Sequence, residues 1–229
     1  MSGPVRVAVI DSGVNVPHPH LPRVAGGMGL DLQGRQHDDF VDRLGHGTAV
    51  AAAIHEKAPE AELFTIKVFE SKLATSVPTL VRAVDHALAW EARIVNLSLG
   101  TPNDLRRAHL EGAVARVEAA GAILVSAREH DGVRWLPGCL PGVAGVLPDP
   151  EQERASLTIR SLPDGERALV ASPFPRPIPG VPRERNLQGI SFAVANASGV
   201  LAALLGRYPE IRTAEQAMDL ILRTGDVGA

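Results

Sequence analysis

Cysteine is nearly absent: the 229 residues hold one, Cys139. That excludes an intramolecular disulfide and a zinc site built from cysteines. An excess of one charge is also lacking, with 23 Lys+Arg against 26 Asp+Glu and a formal net charge of -3. A chain so balanced carries no basic footprint for nucleic acid or for an anionic membrane surface. No apolar segment of about 7–15 residues follows a basic start at Met1-Ser2-Gly3-Pro4, so no signal peptide is expected, and the expected location is cytoplasmic. One uncharged stretch, Gln188 to Gly206, has membrane length. Its Gln188, Ser191, Asn196 and Ser198 would be costly in lipid, so it reads as a buried helix. What is present is ordinary: 45% apolar and 21% charged residues, enough for a real core in one domain over residues 1–229.

Buried strands and amphipathic helices alternate. Val5 to Ile10 is apolar, rich in β-branched residues and without polar alternation, as a strand covered on both faces should be. Leu63 to Phe69, Ile94 to Leu99 and Ala122 to Val125 read alike. Between them, Thr79 to Trp90 puts Leu80, Val81, Val84 and Leu88 on one helical face, with Pro78 near its start. Asn103 to Ala120 does so with Leu110, Val114 and Val117, and ends at Gly121. Thr213-Ala214-Glu215-Gln216 has capping-box spacing and opens a last helix. The segment Leu147 to Arg185 is rich in proline and charge, and its first part reads as an antiparallel or irregular excursion. The fold class implied is α/β, with a mostly parallel sheet covered by helices on both faces.

Three short segments put reactive side chains at element ends. Asp11 closes the first buried strand, at the sheet edge where ligand groups gather. His46, in Gly45-His46-Gly47-Thr48, opens a small-residue helix, and Ser191, in Gly189-Ile190-Ser191-Phe192-Ala193, opens another. Helix starts leave N–H groups unpaired, which favours negative charge developing beside a nucleophile. A nucleophile, a base and a carboxylate to orient the base are the parts of a catalytic triad.

The segments Val7 to Val14, Gly45 to Ala51 and Gly189 to Ala193 resemble the three signature blocks of the subtilisin-like serine proteases, in that family's order of Asp, His and Ser. His18-Pro19-His20-Leu21, Ile94 to Gly100 and Trp135 to Val143 extend the likeness over nearly the whole chain. The resemblance implies a three-layer subtilisin-like fold. It implies that Asp11 orients His46, that His46 is general base and then general acid, and that Ser191 attacks a peptide carbonyl. It further implies that an extended substrate lies antiparallel to Ser98-Leu99-Gly100 and that hydrolysis proceeds through an acyl-enzyme.

The chain departs from the family at several positions. An ungapped alignment from Gly121 to Gly132 puts His130 where the family has its oxyanion-hole Asn, so His130 joins the Ser191 backbone N–H as expected oxyanion donor. Ala195 and Asn196 stand where Pro-His is usual. The short run from His46 to Ala58-Pro59 lacks the inserted loop of the family's strong calcium site, so no metal and no cofactor are expected. No propeptide is expected before Asp11.

A small member expected to be unsecreted and to lack a propeptide is expected to have a dedicated peptide or protein substrate, such as a leader-peptide-bearing precursor. In this it resembles the leader-removing protease of quinohemoprotein amine dehydrogenase biogenesis. A general intracellular protease and a catalytically silent peptide-binding module are the alternatives. Cys139 lacks triad partners, His18 and His20 lack further metal ligands, and Gly26-Gly27-Met28-Gly29 lacks the flanks of a phosphate loop. Glu129 and Asp131, beside the cleft, suggest a preference for basic or polar substrate side chains.

Overall fold

A computed structural model describes residues 3–163 and 165–225, so the two ends of the expected 1–229 domain lie outside the described residues. The chain runs β1 (Arg6–Asp11), β2 (Gly26–Leu30), β3 (Gln36–His37), α1 (His46–Lys57), β4 (Glu62–Lys67), α2 (Val77–Ala89) and β5 (Ile94–Leu97). It continues through α3 (Arg107–Ala119), β6 (Ile123–Ala127), β7 (Glu129–His130), β8 (Val133–Arg134) and β9 (Ala144–Pro148). It closes with β10 (Thr158–Ser161), β11 (Arg167–Ala171), α4 (Ile190–Arg207) and α5 (Ala214–Thr224).

Nine strands form one sheet in the order β10-β11-β9-β6-β5-β1-β4-β2-β3. All neighbours pair in parallel except at the two edges, where β10 and β3 run antiparallel. The period of two along β1 divides the core. Val7 and Val9 join a cluster with α1, α4 and α5, while Ala8 and Ile10 join a second cluster with α2 and α3. The fold is therefore the three-layer α/β arrangement expected, with helices on both faces.

Local signals set the helix ends. The Ser76 hydroxyl accepts from the Thr79 N–H at 3.1 Å and Pro78 sits in the first turn, so α2 starts two residues before the expected Thr79. The Asn103 side chain caps a short 3-10 turn, Asp104–Arg106, which precedes α3. The Thr213 hydroxyl accepts from the Gln216 N–H, as the capping spacing predicts. The excursion after Leu147 is the β10–β11 hairpin. β2 was not legible in the sequence: three glycines in five residues hide a strand that its parallel partner β4 holds in register.

α4 is long and apolar enough to cross a membrane by length and composition, but it is the core helix of this fold, packed on α1, β5, β6, β9 and β11. Its small residues set the site. A Cβ on Gly199 would come within 2.9 Å of the Ile54 carbonyl oxygen, so only glycine lets α4 cross α1 this closely. That crossing brings together the two helices whose first turns hold His46 and Ser191.

Candidate active site

Asp11 ends β1 fully buried, and its Oδ1 lies 2.7 Å from His46 Nδ1. The same oxygen accepts the Ser12 backbone N–H at 2.7 Å. His46 is the first residue of α1, with its side chain 17% exposed. A Cβ on Gly47 would stand 2.3 Å from the Gly13 carbonyl oxygen, so glycine after His46 lets the helix start abut the end of β1. Burial pulls the His46 pKa down, but the hydrogen bond and charge of Asp11, helped by Asp42, outweigh it and raise the pKa above 6.5. An imidazole held at Nδ1 by a carboxylate presents Nε2 as an acceptor, the tautomer a general base needs.

Ser191 lies in the first turn of α4, and the ring of Phe192 beside it is 5.7 Å from the His46 ring. The Ser191 hydroxyl donates to the Ser98 carbonyl oxygen at 3.1 Å, and the Ser98 hydroxyl returns a bond to the Ser191 carbonyl oxygen at 3.2 Å. Ser98-Leu99-Gly100 thus runs past the nucleophile candidate as a continuation of β5. Beyond it, Thr101 and Leu136 exchange backbone hydrogen bonds at 2.9 Å each.

The structure keeps His130 in a hairpin. β7 and β8 pair antiparallel around Asp131 and Gly132, with φ of 52° and 73°, the left-handed pair of a tight hairpin turn. The His130 side chain is 40% exposed, and its Nε2 is 3.5 Å from the Asp131 carboxylate. Asn196, buried in α4, donates to the Ser172 and Phe174 carbonyls at 2.8 and 2.9 Å. It ties α4 to the segment after β11, and the helix runs unbroken through Ala195 and Asn196. Among the described residues, no three His, Cys, Asp or Glu side chains are grouped as metal ligands. Cys139 is half-buried and unpaired.

Sequence reasoning missed two supports. Asp42, 4% exposed, accepts five hydrogen bonds: from the Ser12 hydroxyl, the Leu44 and Gly45 N–H groups, and the N–H and hydroxyl of Thr48. The Ser12 hydroxyl in turn accepts the Gly47 N–H at 2.9 Å, so one carboxylate clamps the start of α1 to the end of β1. Asn96 is the second. It accepts from the Ser198 hydroxyl and donates to the Ser98 hydroxyl, both at 2.9 Å, linking α4 to the strip beside Ser191. The signal for Asp42 was an acidic residue four positions before His46 in a loop; for Asn96 it was an amide inside an otherwise apolar strand.

The subtilase family model matches residues 3–131, more than half of the chain. The chain belongs to the subtilase family. The thermostable alkaline protease of Halalkalibacterium halodurans is 32% identical over 218 residues, covering 89% of this subtilase and 57% of that protein. The present chain therefore spans little more than half the length of that relative. The crystal structure of a lanthipeptide protease superposes with a TM-score of 0.71 at 17% identity, covering 96% of this chain and 80% of that one. The structure of the prenylagaramide maturation protease PagA gives 0.65 at 22% identity, with 96% and 82% covered. Both share the fold.

Proposed function

We propose that this subtilase is a serine endopeptidase, with residues 1–229 as one catalytic domain. The observation that carries the reading is the 2.7 Å contact of buried Asp11 with His46, beside the start of α4 that bears Ser191. Ser191 Oγ attacks the scissile carbonyl carbon as its proton passes to His46 Nε2. The oxyanion faces the free N–H of Ser191 and the ring of His130. As the intermediate collapses, the C–N bond breaks and His46 returns the proton to the leaving amine. Water, deprotonated by His46, then splits the ester of the acyl-enzyme. Substrate lies along Ser98-Leu99-Gly100 as an added strand.

The substrate is a dedicated one: a precursor peptide or protein, cut in its maturation inside the cytoplasm. Two solved relatives in fold are a lanthipeptide protease and a prenylagaramide maturation protease, which supports a maturation role. The single free cysteine suits a reducing compartment. The narrower assignment to quinohemoprotein amine dehydrogenase biogenesis rests on sequence resemblance alone. One observation favours the catalytically silent alternative: the Ser191 hydroxyl donates to the Ser98 carbonyl oxygen rather than to His46.

Labelling with a fluorophosphonate, wild type beside Ser191→Ala and His46→Ala, separates the readings. Labelling of wild type alone is expected. Labelling of none, with peptide binding intact, overturns the enzyme reading in favour of a binding module. Rapid turnover of unfolded casein would replace the dedicated processor with a general protease.

A further inference from the structure

A cavity of about 390 Å³ opens on the α1 side of the triad candidates. Gly45 and Thr48, which flank His46 in sequence, line it, as do Ala49 and Ala52 one and two turns further along α1. The opposite wall comes from the segment before α4, with Ile178 and Leu187, 46% and 58% exposed.

Several of the polar groups around this cavity are engaged inside the protein. Thr48 and Asn15 are bonded to Asp42, and Asn186 donates to the Arg176 carbonyl at 2.9 Å. The Arg176 guanidinium donates to the His20 carbonyl at 3.4 Å and lies 3.6 Å from Glu56. Burial, then Arg176 and His18, lowers the His20 pKa, so that ring is neutral at neutral pH. Beside the His18 and His20 rings, a guest meets the apolar wall of Ala49, Ala52, Ile178 and Leu187. A cationic guest would be desolvated beside Arg176 without a partner, and an anionic one would have to compete with Glu56 for that guanidinium, whereas an apolar one gains about 25 cal/mol per Å² buried.

The position gives the guest its place in the substrate. One side of Ser191 is taken by Ser98-Leu99-Gly100. His46 must hand its proton to the leaving amine, so the departing segment passes the start of α1. We infer that the cavity binds an apolar side chain from one of the first three residues after the scissile bond. This specificity rests on the proposed peptide binding across Ser191, and it selects substrates such as those with Leu or Phe on the leaving side.

The test uses peptides carrying Leu, Phe, Asp or Lys at each of those three positions. Two quantities are read: kcat/KM for wild type, and Kd for the Ser191→Ala protein, which reports on the cavity even where turnover is absent. At one of the positions, Leu and Phe should exceed Asp and Lys by about tenfold or more. Leu187→Asp and Ile178→Asp, both at exposed positions, should collapse that ratio, and a ratio within one variant cancels any general loss of activity. A flat profile at all three positions overturns the inference, as does a preference that both variants leave intact. A preference seen in Kd without any turnover sustains the cavity and sinks the endopeptidase reading instead.

Discussion

Asp42 Oδ2 accepts both the backbone N–H and the hydroxyl of Thr48, at 2.8 and 2.7 Å, while its Oδ1 takes three donors from Ser12, Leu44 and Gly45. An amide cannot accept at both ends, so Asp42→Asn turns a donor toward donors. We expect a stability loss of about 1–3 kcal/mol and roughly 10–100-fold lower kcat/KM from a displaced His46. Because Asp42 also helps raise the His46 pKa, the acid limb of kcat/KM should move to lower pH. Loss of stability alone would leave that limb in place, so the pH profile decides between positioning and plain support.

The acid limb for wild type is itself predicted. Only neutral His46 can take the Ser191 proton, and Asp11 favours the charged ring. The base form therefore appears as pH rises through a pKa above the ordinary 6.5, and activity is lost below it. Asp11→Asn should move this limb down in pH and lower kcat by about 10⁴, as loss of the orienting carboxylate does in other triads. A wild-type limb below the ordinary value, measured as kcat/KM against pH, would contradict the assignment of His46 as base.

His130→Ala tests the oxyanion assignment. If the ring donates to the oxyanion, kcat should fall by roughly 10²–10³ with KM little changed, the loss that accompanies removal of one such donor. Full turnover of a peptide substrate by His130→Ala would show that the hairpin places this ring outside the reaction.

Lys57 offers a test of stability. Its side chain is 3% exposed, and burial lowers its pKa from 10.5 to about 8 despite the Glu56 partner at 2.8 Å. Between those two values the unfolded chain binds the extra proton, so wild-type stability rises with pH there. Below about 8 the fold carries a buried charge at full cost. Glu56 keeps Arg154 when Lys57 is replaced. Lys57→Met should therefore stabilise by roughly 1–3 kcal/mol at pH 7 in denaturant melts, with the gain shrinking above pH 8. A destabilised variant at pH 7 would mean that the ion pair outweighs its desolvation.

Much of this was readable from the chain because local rules dominate at those places. The largely apolar runs of β1, β5 and β6 read as strands buried on both faces, and Asn103 and Thr213 mark helix starts by side-chain bonds within a few residues. Asp11, His46 and Ser191 were legible because each ends or opens an element. Asp42 was not, since its five donors come from Ser12, Leu44, Gly45 and Thr48, and nothing in a loop aspartate announces them. β2 escaped for a related reason: its glycines have no strand preference, and only pairing with β4 makes it one.

Sequence alone determined the layer order, through hydrophobic period, and the three candidate catalytic residues, through side-chain chemistry at element ends. Tertiary structure decided their geometry. The 2.7 Å approach of Asp11 to His46 depends on α1 abutting β1 at Gly47 and Gly13, and the nearness of Ser191 depends on α4 crossing α1 at Gly199. It also decided the apolar cavity between α1 and the segment before α4, whose walls lie more than a hundred residues apart in the chain. Such contacts arise from close packing between distant segments, and no local pattern encodes a distance between them.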